Sequence, residues 1–158
     1  MKKIPLFLLP ALVMAIPCLL PAGENLLVAP DKMLLVQGQK QPDGMVTPRQ
    51  NRKNYLYVLR QRIKNISGNT LFNGTVVGNV RAVWVMVLAY DKKKKVFQKG
   101  VWLDGKKLLK DKDGKIHFAG NIDCTGLKAD ETYCYFEAYC FTPAPAKFEK
   151  LSLEIQSE

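Results

Sequence analysis

Histidine and serine are almost missing from this chain of 158 residues, which holds one histidine and three serines, Ser67, Ser152 and Ser157. None of the serines sits in a Gly-x-Ser-x-Gly setting. His117 lies between Ile116 and Phe118, where strand alternation turns it to solvent. The composition therefore argues against a Ser-His-Asp triad. A Cys-His nucleophile pair has no support in a chain whose thiols are expected to be oxidised. Acidic residues are also scarce, 14 against 24 basic ones, for a net charge of +10. Hydrophobic residues at 47% and charged residues at 24% fit neither a disordered tail nor a polytopic membrane protein. The length is that of one domain.

The first two dozen residues have the layout of a secretory signal peptide. Lys2 and Lys3 precede an uncharged apolar run from Ile4 to Leu20, and Pro21, Ala22 and Gly23 follow it. The run is broken by Pro5, Pro10 and Pro17 and falls short of the ~20 apolar residues that a spanning helix needs, so no transmembrane segment is expected after cleavage. Small residues place the cut after Ala22 or after Ala15. Cys18 follows Pro17, where a lipoprotein signal needs a small residue, so lipidation is not expected. The chain thus reads as exported, to the periplasm, the outer envelope or beyond.

From residue 54 onward the pattern is one of strands. Tyr55, Tyr57, Leu59 and Ile63 share one face of a strand whose other face carries Arg60, Arg62 and Lys64. Asn65 to Asn69 punctuates it as a turn, and a short strand is expected over residues 70–77. Val80 to Tyr90 is apolar on both faces, as in a central strand covered on both sides. Asp91 and Lys92 to Lys95 turn the chain into a strand over residues 96–103. Asp104-Gly105 and Asp113-Gly114 are reverse-turn signals around a short segment, Lys106 to Lys110. Further strands are expected over 115–122, 132–142 and 147–156. Seven to eight short strands and no amphipathic helix predict an all-β, antiparallel, immunoglobulin-like β-sandwich over residues 54–158, with a closed barrel as the alternative. Residues 23–53 read as an edge strand followed by a mobile polar linker, which contains Pro42 and Pro48.

The stretch Arg62 to Gly68, followed by Val80 to Tyr90-Asp91, resembles the FxLYD type of small immunoglobulin-like β-sandwich domain. Val87 stands where that family has Phe and Ala89 where it has Leu, so the Tyr90-Asp91 pair carries the likeness, over residues 55–103. The resemblance implies a sandwich of exported or membrane-attached proteins. It brings no catalytic residues.

Cysteines and metals are tested by spacing. Cys134 and Cys140, on one face of one strand, are ~20 Å apart if extended, beyond the ~7 Å reach of a disulfide. Cys124 and Cys134 flank a presumed hairpin turn and form the preferred pair, Cys124 with Cys140 the second. The remaining thiol is then a core residue or a partner for a retained Cys18. A zinc site of His117 and the three cysteines lacks two ligands ~2 to 4 residues apart. The Asp111, Asp113, Gly114 and Ile116 run puts Leu109 and Gly120 where a calcium loop needs oxygens. No cofactor or metal is expected. Asn65 and Asn73 head glycosylation sequons that matter only in a eukaryotic secretory pathway.

Two features point to binding. The strand over 132–142 turns Tyr133, Tyr135, Glu137, Tyr139 and Phe141 to one face and Cys134, Phe136, Ala138 and Cys140 to the other. A tyrosine face around one carboxylate suits sugar stacking or a protein contact, with Trp102 a further candidate. Charge is the second feature. Residues 49–64 hold six basic and no acidic residues, and 92–115 hold ten Lys and three Asp. From Glu24 onward the net charge is +8, so the remainder of that stretch is −5. Arg60, Arg62, Lys64 and Lys92, Lys93, Lys94 and Lys95 are thus candidates for an anionic ligand. Nucleic acid is disfavoured, since aromatics do not interleave with the lysines.

The sequence predicts a non-catalytic envelope or extracellular module. Its partner is read as a protein, or alternatively as an anionic surface such as lipopolysaccharide, an acidic glycan or lipid head groups. A catalytic site would have to be assembled from Glu137, Asp123 or His117, which spacing alone does not bring together.

Overall fold

The computed structural model describes residues 23–51, 54–128 and 131–156; the presumed signal peptide, Cys18 included, lies outside the described residues. In chain order the strands are β1 (Leu34–Gln37), β2 (Gln39–Lys40), β3 (Val46–Thr47), β4 (Arg49–Asn51), β5 (Asn54–Ile63) and β6 (Asn69–Val77). They continue with β7 (Ala82–Asp91), β8 (Lys94–Asp104), β9 (Leu109–Lys110), β10 (Lys115–Asp123), β11 (Tyr133–Phe141) and β12 (Lys147–Ile155). Two antiparallel sheets stack as a sandwich. The larger has the order β1-β5-β11-β7-β8, with β4 also on β5; the smaller has the order β12-β6-β10-β9.

The middle strands follow an immunoglobulin-like path, with β6 beside β10 and β7 beside β11. The two terminal long strands occupy each other's usual places. In that fold the first strand pairs with the second and the last with the penultimate. Here β5, the first long strand, pairs with β11, and β12, the last, pairs with β6.

Alternation builds the core. Tyr57, Leu59 and Ile63 of β5 point inward with Phe136, Ala138 and Cys140 of β11 and Val83, Val85, Val87 and Ala89 of β7. Phe72, Val76, Ile116, Phe118, Ile122, Phe148, Leu151 and Leu153 meet them from the smaller sheet. Phe118 lies opposite Gly74 and Phe72 opposite Gly120 across β6 and β10. A Cβ on either glycine would collide with the facing ring, so each glycine is the space its phenylalanine fills.

Turns fall where Asn and Gly permit. Asn65 and Gly68 adopt φ of 56° and 60° in the β5–β6 connection. In the β9–β10 turn Asp111 Oδ1 accepts the backbone N–H groups of Asp113 and Lys115, both at 2.9 Å, with Gly114 at φ 78°.

Two expectations need correction. The linker is structured: β2 and β3 form a hairpin, β4 pairs with β5, and the bridge between Val46 and Ala146 ties this segment to the start of β12. Val46 is 6% exposed and belongs to the core cluster. Short strands leave most of their side chains in water, which is why this stretch looks like a linker.

The second correction concerns the thiols: Cys124, Cys134 and Cys140 are all free and buried. The Cys124 to Cys134 pairing assumed a hairpin, whereas β10 and β11 belong to opposite sheets and the chain between them crosses the sandwich. Cys140 lies beside Tyr57, and burial pushes its thiol up to about 12. The apolar pattern of β7 is matched by its burial on both faces, with Trp84 stacked on Tyr139 on the outer side.

Two outcomes follow. Replacing Val46 by Asp puts a carboxylate into the core and should cost about 3 kcal/mol in chemical denaturation; a free linker would tolerate it. A thiol reagent, followed by peptide mass spectrometry, should leave Cys124, Cys134 and Cys140 unlabelled in the native protein and label all three in denaturant.

Candidate functional site

The outer face of the larger sheet gathers aromatic side chains of β7, β8 and β11 beside Arg60 and Arg62 of β5. Strand register sets them in rows across β5, β11, β7 and β8. One row reads Arg62, Tyr135, Leu88, Gln98; the next Arg60, Glu137, Met86, Gly100; the next Val58, Tyr139, Trp84, Trp102; and the last Leu56, Phe141, Ala82, Asp104. Tyr133 faces Tyr90 at the near end. The eight steps from Tyr133 to Phe141 span about 26 Å.

Small residues let the large rings lie down. Gly100 has no Cβ, and one built there would meet Trp84 Nε1 and Met86 Cβ, so the Trp84 indole rests on the glycine. Trp84 and Tyr139 stack with centroids 5.0 Å apart at 38°. The rings of Trp102 and Phe141 come within 4.7 Å from strands on either side of β7, which offers only Ala82 there. Trp102 Nε1–H donates to Asp104 Oδ2 at 2.8 Å, which fixes the indole while 43% of the residue stays exposed. Tyr90 and Tyr135 meet edge to face at 6.1 Å, and Tyr133 is 49% exposed.

Beneath the rings lies a charged cluster. Glu137 is 1% exposed, and its carboxylate is held by the Arg60 guanidinium and the Tyr139 hydroxyl, which donates to Oε2. Arg60 also passes 5.3 Å from the centre of the Tyr135 ring, and Arg62 lies 4.5 Å from that of Tyr133. Burial, then the bond to Glu137, raise the Tyr139 phenol well above its ordinary value of 10.0.

The contact-face candidates Tyr133, Tyr135, Glu137, Tyr139 and Trp102 therefore share one face. Among them Glu137 is a support rather than a contact. Of the basic candidates, Arg60 is committed to Glu137, while Arg62 and Lys64 reach the same end of the sheet as the Lys92 to Lys95 hairpin. Among the described residues none of Arg62, Lys64 or Lys92 to Lys95 is in a salt bridge. Beside that hairpin is a cleft of about 340 Å³ lined by Asp91, Val96, Phe97, Leu127 and Thr132. Trp84 and Tyr90 are the participants that sequence reasoning missed. The Gly100 and Trp102 spacing on the next strand was the available signal for Trp84.

Other candidates are dispersed. Among the described residues no group of three or more His, Cys, Asp or Glu side chains could hold a metal ion. Asp123 pairs with Lys99 at 2.7 Å across the two sheets, and that lysine with Thr125 holds its carboxyl well below the usual range.

No family model matches the chain, and no curated protein matches it. Among solved structures it is similar to the carbohydrate-binding module TmCBM61, determined in complex with β-1,4-galactotriose, at 11% identity over 73% of each chain with a TM-score of 0.41.

The buried cluster makes two measurable statements. Arg60→Ala leaves the Glu137 carboxylate with Tyr139 alone and should cost about 2 kcal/mol, less than the ~3 to 5 of a fully buried pair because Arg60 is half-buried. Burial and the Glu137 bond favour the neutral Tyr139 phenol in the fold. Its contribution to stability is then present below pH 10 and lost as pH rises through its elevated native value. Absorbance titration of tyrosinate should show late-ionising amplitude that falls in Tyr139→Phe; unchanged amplitude would contradict the Glu137 contact.

Proposed function

We propose that this protein is a non-catalytic binding module that holds an extended acidic saccharide chain against the outer face of its larger sheet. The aromatic row from Tyr133 to Trp102 carries the reading. Sugar rings offer apolar C–H faces and polar edges, and flat aromatic rings with polar groups at their margins complement both. The polar margin here is Asp104 and Gln98 on β8 and Arg62 on β5. The charged support under the rings lowers the cost of binding, because the rings are already placed before a ligand arrives.

The preference for acidic sugars rests on Arg62, Lys64 and the Lys92 to Lys95 hairpin, which gather at one end of the row without acidic partners among the described residues. With residues 1–22 read as a signal peptide, the ligand is met outside the cytoplasm.

Affinity electrophoresis and tryptophan fluorescence with polygalacturonate and a neutral galactan test this. Binding to the acidic chain should weaken about tenfold in Trp102→Ala, equivalent to ~1.4 kcal/mol. Arg62→Gln should weaken the acidic ligand selectively and flatten its salt dependence. Retention untouched by Trp102→Ala would overturn the assignment. So would a lack of glycan binding together with recovery of a stable protein partner from envelope extracts.

A further inference from the structure

On the opposite side of the sandwich, the smaller sheet carries a cleft of about 560 Å³ that the aromatic face does not explain. Its cationic lining comes from two separate elements: Lys106 and Lys107 on the single 3-10 turn Gly105–Lys107 that follows β8, and Lys150 on β12. Among the described residues none of these three lysines is in a salt bridge. The nearby Lys115, by contrast, is engaged with Glu149 at 2.8 Å. Asn73, Thr75 and His117 supply neutral polar groups, and Leu109, 66% exposed, forms an apolar rim.

His117 is held by both ring nitrogens. Nε2 lies 2.8 Å from Asp111 Oδ2, and Nδ1 lies 3.1 Å from Thr75 Oγ1. With Nε2–H donating to Asp111, the neutral ring accepts at Nδ1 the Thr75 hydroxyl proton. A protonated ring instead donates from Nδ1 to Thr75 Oγ1. The hydroxyl proton is then free to turn toward the cleft. Asp111 of the β9–β10 turn bonds the imidazole, and Lys106 and Lys107 of the 3-10 turn and Lys150 of β12 line the same cleft. The bond from His117 also holds the Asp111 carboxyl below its ordinary value, which keeps it an acceptor.

We propose that this cleft binds a tetrahedral oxyanion group, a phosphate or sulfate monoester, with the charge among Lys106, Lys107 and Lys150 and the carrier against Leu109. Several ammonium groups around neighbouring amide and hydroxyl donors suit a group with many oxygens better than a single carboxylate. The inference is independent of the aromatic face.

Amide NMR titrations of the exported chain can test it with three probes: inorganic sulfate, glucose 6-phosphate, and phosphatidylcholine vesicles with or without phosphatidic acid. Sulfate is a tetrahedral anion without a carrier, so its affinity reports the anion site alone. Saturable shifts at Asn73, Thr75 and His117 are expected. They should weaken at least about tenfold in the Lys107→Gln, Lys150→Gln double variant, a loss of ~1.4 kcal/mol. The stronger of the sugar phosphate and the lipid vesicle identifies the carrier. Shifts spread over all exposed lysines without saturation, or affinity kept in the double variant, would overturn the proposal.

Discussion

Glu137 sits at the middle of β11, between β5 and β7, with almost none of its surface in water. A carboxylate in that position is costly unless its oxygens are satisfied. Arg60 reaches it from one neighbouring strand, and Tyr139 from two residues along its own. That requirement orders the rest of the face. Tyr139, held by Glu137, sets the plane against which Trp84 stacks, and Arg60, drawn inward, lies over Tyr135. The carboxylate organises an apolar surface by being unable to remain alone in it.

Space is apportioned by the smallest residues. Gly100 gives the Trp84 indole a place to rest and Ala82 lets the Trp102 and Phe141 rings meet across β7, while Gly74 and Gly120 open the smaller sheet so that two phenylalanines lock into it. The device is the same, but it serves a surface on one sheet and the core on the other. It gives one sheet a broad ring-covered exterior and the other an exterior of short polar side chains beside a basic cleft.

The strands from residue 54 onward were legible because their alternation and turns agree: Arg60 and Arg62 do face away from Tyr57 and Leu59, and the Asp-Gly pairs do turn. The tyrosine face was legible for the same reason. Other features were hidden by particular residues. Val46 is a single apolar anchor in a polar stretch, too sparse to register as periodicity. Trp84 lies in a strand apolar on both sides, where no pattern distinguishes inside from outside. The Asp111, His117 and Thr75 chain joins residues 42 positions apart through β-sheet register, which spacing does not reveal. The expected cysteine pairing rested on a hairpin, whereas β10 and β11 lie in different sheets and the described thiols are free.

The exchanged terminal strands have a consequence for synthesis. Asn25 Oδ1 accepts the backbone N–H of Leu153, Leu26 N–H donates to the Leu153 carbonyl, and Gln61 bonds both Val28 and Leu26. The first described residues are thus a seam between β5 and β12, and they find their place only when the last strand exists. Contacts of such sequence separation carry a large loop-closure cost and form slowly. A chain emerging from its N-terminus cannot close this sandwich part-way. It closes only when β12 is present to pair with β6 and to receive Asn25 and Leu26.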